Sequence, residues 1–185
     1  MKIAPVLLPQ IQQKIFRSLL KSMSRPGTIC DLSPHIGQES AAIGVLATLL
    51  DHSLTLADPA ALLDTRRWTL LGARKCRPEE AAFIVCPADR KPDFSPRLGT
   101  LESPELSATV VLCCPGLGQD GAAYALSGPG INGKAALHLA GVDRAWFSQR
   151  QQWTACYPLG VDLIIAGEGR VAAIPRSTVM EEISV

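Results

Sequence analysis

Two stretches, AAFIVC (81–86) and ATVVLCC (108–114), carry almost no polar side chain. Runs of this kind suit strands that are covered on both faces, because a strand with one wet face alternates apolar and polar residues. They therefore ask for an interior sheet with a layer on each side. A chain of 185 residues, 47% of them hydrophobic, is long enough to supply it, burying about 70% of its unfolded surface as one domain. A single domain over 1–185 is the expectation, since neither an internal repeat nor a linker is visible.

Around these runs the periodicity changes. QIQQKIFRSLLKSMSRPG (10–27) places Ile11, Ile15, Phe16, Leu19, Leu20 and Met23 on one stripe of an amphipathic helix that Pro26-Gly27 ends. QESAAIGVLATLLD (38–51) reads as a second helix, SLTLAD (53–58) as a strand, and PAALLDTRRW as a helix opened by Pro59 after Asp58. AYALSG (123–128) reads as a strand and KAALHLAG (134–141) as the start of a short helix. DRAWFSQRQQW (143–153) is a late helix with Asp143 as its cap and Trp146, Phe147 and Trp153 on an exposed side. The proline- and charge-rich segment 87–105 is a surface connection. VDLIIAGEGRVAAIP (161–175), two apolar runs around GEGR, is an antiparallel hairpin. Helices between apolar strands, with a hairpin at the end, predict an α/β layered domain with a mixed central sheet.

Several functions are excluded at this level. With 18 basic and 17 acidic residues, the net charge of +1 provides no field to hold a nucleic acid or an anionic membrane. The clusters RRW (66–68) and ARKCR (73–77) read as a solvated face, with a phosphate-binding edge or an acidic partner's contact as the sharper alternative. The opening MKIAPVLLPQIQQ is interrupted by Pro5 and Pro9, unlike a secretory signal, and no stretch approaches a membrane span. Six cysteines without a C-x-x-C pair point to free thiols and a cytoplasmic location. His35, His52 and His138 are scattered, no phosphate loop occurs, and Ala125 stands where the nucleophile elbow around Ser127 needs glycine. GPGING (128–133) has the glycine spacing of a dinucleotide fingerprint. Pro129 removes a backbone N–H there, and no carboxylate stands about 20 residues further on. A tight turn at a strand end accounts for it better.

Four separated blocks carry a resemblance: FRSLLKSMSRPGTI (16–29), LLDHSLTLAD (49–58), LSGPGI (126–131) and YPLGVDLIIAGEGRVAAIPRST (157–178). In this order and spacing they resemble the PhnH family, the H subunit of the bacterial carbon-phosphorus lyase system for phosphonate breakdown. YPLGVDLI and IPRST are the most specific parts, whereas 60–107 matches mainly in length and pattern.

The resemblance implies a fold similar to the large domain of aminotransferase-type, pyridoxal-phosphate-dependent transferases, without the cofactor. No lysine of this chain stands in a context suited to a Schiff base, Lys134 beside the glycine turn being the nearest. It further implies assembly with subunits G, I and J, and cooperation with subunit L. The step supported there displaces adenine from MgATP by a phosphonate and yields a ribose 1-phosphonate triphosphate. Subunit I is held to carry the chemistry, so no catalytic residue is assigned to this chain, and an accessory role follows. Within the matching blocks, Arg17, Asp162 and Arg176 are candidate interface or anion contacts, while Arg25 stands where the family often has an acid. The bland alternative is that Arg17 and Arg176 tie the terminal segments to the fold. A homodimer is expected when the chain is made alone, because Trp146, Phe147 and Trp153 offer a partner surface. The competing reading is a transferase or nucleotide-binding enzyme with a site at its dimer interface.

Overall fold

The computed structural model describes residues 4–183, apart from the side chains of Gln119 and Asp120. Helix α1 (Pro9–Ser24) leads to the short strand β1 (Cys30–Asp31), the one-turn helix α2 (Ser33–Ile36) and helix α3 (Ala41–Leu49). Strand β2 (Thr55–Ala57), helix α4 (Thr65–Leu71) and strands β3 (Arg74–Lys75), β4 (Phe83–Pro87) and β5 (Thr109–Cys113) follow. Strands β6 (Gly116–Ser127) and β7 (Ala135–Ala140) pair as a hairpin, and helix α5 (Ala145–Trp153) comes next. Strands β8 (Asp162–Gly167), β9 (Arg170–Ile174) and β10 (Val179–Glu182) close the fold.

The apolar runs form the centre of a seven-stranded sheet ordered β1-β9-β8-β5-β4-β2-β3. Only β9 runs against the others, because β8 and β9 are the two arms of the GEGR hairpin. Alternate side chains of the central strands feed two cores. Val85, Val111, Ile164 and Val171 pack towards α1 and α3. Ile84, Val110, Leu112, Leu163, Ile165 and Ile174 pack the other way, against Leu126, Leu137, Leu139, Trp146 and Trp153. The second layer is therefore not helical throughout: a three-stranded antiparallel sheet, β10-β6-β7, lies there beside α5.

Local chemistry explains the helices. Pro9 fits the first turn of α1, where its missing N–H has no partner to lose, and Ile15 and Leu19 bury one stripe. Helix α3 is apolar all round and is buried over most of its length, with the Ser40 hydroxyl accepting the Ile43 N–H at 3.3 Å.

Three expectations are corrected. KAALHLAG is strand β7, not a helix: Leu137 and Leu139 are buried on either side of half-buried His138, a period of two that six residues beside a glycine turn disguised. Helix α4 begins at Thr65 rather than Pro59, because the Asp58 carboxylate accepts the N–H groups of Leu62 and Leu63 at 2.9 and 2.8 Å and holds the intervening segment as a loop. Asp64 then caps the helix by accepting from Arg67 N–H. The aromatic side of α5 is not exposed: Trp146 and Trp153 retain 1% and 7% of their surface, and Phe94 from the 87–105 segment lies against both rings. That segment is thus a surface connection whose one aromatic residue seals the core.

GPGING joins two antiparallel strands, so the strand-turn-helix arrangement that a dinucleotide needs is missing. Gly130 takes φ +82°, and a Cβ there would overlap the Ser24 carbonyl oxygen at the end of α1. Replacing Gly130 by alanine combines left-handed strain with that overlap and is expected to destabilise the protein by more than about 2 kcal/mol. A urea midpoint equal to that of the parent would refute this packing role.

Candidate functional site

Asp162 opens β8, and Arg176 follows β9, so the hairpin brings together two residues that lie 14 apart in sequence. The Asp162 carboxylate accepts Arg176 Nη2 at 2.6 Å and the Arg176 backbone N–H at 2.7 Å. Arg176 Nη1 also donates to the Pro104 carbonyl at 2.7 Å and, more weakly, to that of Pro158 at 3.4 Å. Only 16% and 15% of the two side chains remain exposed. The pair thereby ties the YPLG loop, the segment before β5 and the end of the hairpin into one corner.

Beside this corner is a groove of about 510 Å³ between α5 and the residues joining β9 to β10. Phe147, Tyr157, Val179 and Met180 provide apolar walls, and Gln151, Thr154, Arg176, Ser177 and Thr178 add polar groups. None of its lining residues is acidic. Arg150 lies at its base and is 4% exposed. Its Nη1 and Nη2 donate to the carbonyls of Thr178 at 3.1 Å and Pro175 at 2.5 Å, whereas Nε has no partner. No carboxylate pairs with Arg150 among the described residues; Asp162, the acid that acts on it from a distance, is already held by Arg176. Burial pulls the guanidinium down to about 10, with Asp162 opposing, so it stays charged at neutral pH. Sequence reading missed Arg150. The available signal was its place on α5, four residues after Trp146 and three before Trp153, hence on the buried stripe.

The other candidates lie apart. Arg17 is on the exposed side of α1 and makes no ion pair among the described residues. Arg25, also exposed, follows the last residue of that helix. The RRW cluster is not simply solvated: Arg66 and Arg67 converge on buried Glu39 at 2.6 and 3.6 Å. Lys134 is exposed and paired with Glu181 at 3.3 Å.

Open α/β sheets bind ligands beyond the carboxyl ends of parallel strands, whereas Asp162 and Arg176 mark the opposite edge. Beyond the carboxyl ends of β5 and β8 is a cavity of about 320 Å³ walled by Glu39, Glu168, Cys113 and Cys114. Both carboxylates are already paired with arginines, Glu39 with Arg66 and Arg67 and Glu168 with Arg170 at 2.9 Å, and burial pushes the thiols of both cysteines up to about 11. Cys86 is raised by burial as well. All six cysteines are free, and only Cys156 is exposed. Because the thiolate is the reactive form, limited iodoacetamide at pH 8 is expected to label Cys156 first and Cys86, Cys113 and Cys114 only after unfolding. Equal labelling of all of them in the native protein would contradict this burial.

Among the described residues no group of three metal-ligating side chains occurs, and no helix is long and apolar enough to cross a membrane. Comparison with known proteins places these features in a family context. The family described as bacterial phosphonate metabolism protein (PhnH) matches residues 8–181. HtxG of Stutzerimonas stutzeri, named for a C-P lyase subunit, is 41% identical over 167 residues, 90% of this chain and 84% of that protein. A Rhizobium meliloti protein named alpha-D-ribose 1-methylphosphonate 5-triphosphate synthase subunit PhnH is 28% identical over 182 residues, 91% of this chain and 90% of that protein.

Proposed function

The chain belongs to the PhnH family of bacterial phosphonate metabolism proteins, and from that premise we propose that it is an accessory subunit of a carbon-phosphorus lyase system. Its task is to support formation of a ribose 1-phosphonate triphosphate from MgATP and a phosphonate, with adenine displaced. The partners in this reading are subunits G, I and J in a cytoplasmic core complex, with subunit L joining functionally. The names of both relatives support the placement. The accessory character rests chiefly on one observation: Asp162 and Arg176, the charged residues of the two most specific sequence blocks, are bonded to each other and to nearby carbonyls, so neither offers an unpartnered acid or base. The reading includes a fold akin to the large domain of aminotransferase-type enzymes, for which the seven-stranded mixed sheet supplies the α/β framework.

A homodimer of the isolated chain remains part of the reading, on a different surface. Phe16 and Leu20, one turn apart on α1, are 44% and 52% exposed next to Arg17. One observation favours the alternative of a transferase or nucleotide-binding site shared by two copies: the Arg150 groove opens beside Tyr157 and Val179, which are 69% and 55% exposed. Reconstitution separates the readings. Alanine variants at Asp162 or Arg176 that still fold and assemble should retain the adenine-displacing activity of the complex, because no transition-state contact is lost. A loss of several orders of magnitude in a normally assembled complex would favour the enzyme reading.

A further inference from the structure

We propose that the groove between α5 and the residues joining β9 to β10 is an anion-binding site, with Arg150 at its base, that takes the phosphonyl or phosphoryl head of a small organic molecule. Burying a guanidinium is costly unless an opposite charge compensates it. Arg150 is almost fully buried, and its direct partners are two backbone carbonyls, which offer partial charge only. The acid within its electrostatic reach is neutralised by Arg176 at 2.6 Å. Arg150 and Arg176 against Asp162 leave this corner one positive charge in excess, and no lining residue opposes it. Clamping the Pro175 and Thr178 carbonyls does not by itself require a charge, since an uncharged side-chain amide donates equally to carbonyls. A further polar atom points the same way: buried Thr178 lines the groove, and its Oγ1, like Arg150 Nε, has no partner.

Size and walls define the ligand class. About 510 Å³ falls within the range of small-molecule sites, which combine apolar walls with a few convergent polar groups. Guanidinium groups recognise tetrahedral oxyanions through paired N–H donors. Phe147, Tyr157 and Met180 then face the organic substituent. Choosing a phosphonate as the natural head rests on the function proposed above; the anion site itself rests on the groove alone.

The test is titration of the full-length protein, followed by calorimetry and by heteronuclear NMR, with methylphosphonate, inorganic phosphate and ATP as separate probes. Saturable binding of at least one probe is expected, with shifts centred on α5 and Ser177–Met180. Gln151→Glu places a negative charge on an exposed lining position, leaves the core untouched and should weaken binding at least tenfold. Arg150→Met should abolish binding; because it also removes the carbonyl clamp, its melting curve is recorded, and Gln151→Glu decides the matter if it does not fold. Binding of phosphate or ATP without methylphosphonate would support the site while counting against phosphonate as its ligand. No saturable binding of any probe at millimolar concentration, or equal affinity in parent and Gln151→Glu, would overturn the proposal.

Discussion

Removing either member of the Asp162–Arg176 pair is expected to lower stability by about 3 kcal/mol. Breaking a buried ion pair from one side leaves the other charge stranded, which costs about 3–5 kcal/mol when burial is complete. The partial exposure of this pair moves the expectation to the lower end. Asp162→Ala strands Arg176 and also removes the acceptor of its backbone N–H. Arg176→Ala releases the Pro104 carbonyl and leaves the Asp162 carboxylate facing only that N–H. For a chain of this length the loss corresponds to a fall in Tm of about 6–12 °C. Arg176→Lys keeps the charge but loses the paired donors, so it should fall between parent and alanine variant. Additive effects of the two alanine substitutions in a double-mutant cycle would show that the residues are not coupled and would remove the corner from the account.

A larger effect is expected in the cell. Deleting the gene should abolish growth on an alkylphosphonate as sole phosphorus source and leave growth on phosphate unchanged, because an accessory subunit is needed only by the complex that it completes. Complementation with the Gly130→Ala or Asp162→Ala variant should restore growth in proportion to the folded protein present, since stability losses of this size act through abundance. A deletion strain growing normally on alkylphosphonates would mean that this chain has no required part in their breakdown.

The centre of the fold was legible because its signals are local. Unbroken apolar runs at 81–86 and 108–114 became neighbouring parallel strands β4 and β5, and the GEGR hairpin became β8 and β9. The family resemblance, carried by YPLGVDLI and IPRST, is matched by a family assignment over residues 8–181. What failed depended on distant contacts. Strand β7 is recognised by its pairing with β6, and its alternation is too short to stand against a helical reading. The exposure of α5 was misjudged because Phe94, about 50 residues earlier, covers Trp146 and Trp153. In the candidate site, Asp162 and Arg176 were named from their block, yet their mutual saturation follows from a hairpin register that sequence does not display. Arg150 was passed over because an arginine on a buried stripe looks like an ordinary helix surface residue until its neighbours are known.

Membership of this chain in a phosphonate-degrading assembly is open to a direct test. Tagged at one end and expressed from its own locus during growth on methylphosphonate, the chain should be recovered with the other carbon-phosphorus lyase subunits, and the complex should displace adenine from MgATP. The same purification from a deletion strain, through a tag on subunit I, should give an incomplete assembly without that activity. Recovery of this chain alone, together with a complete and active complex from the deletion strain, would contradict that membership.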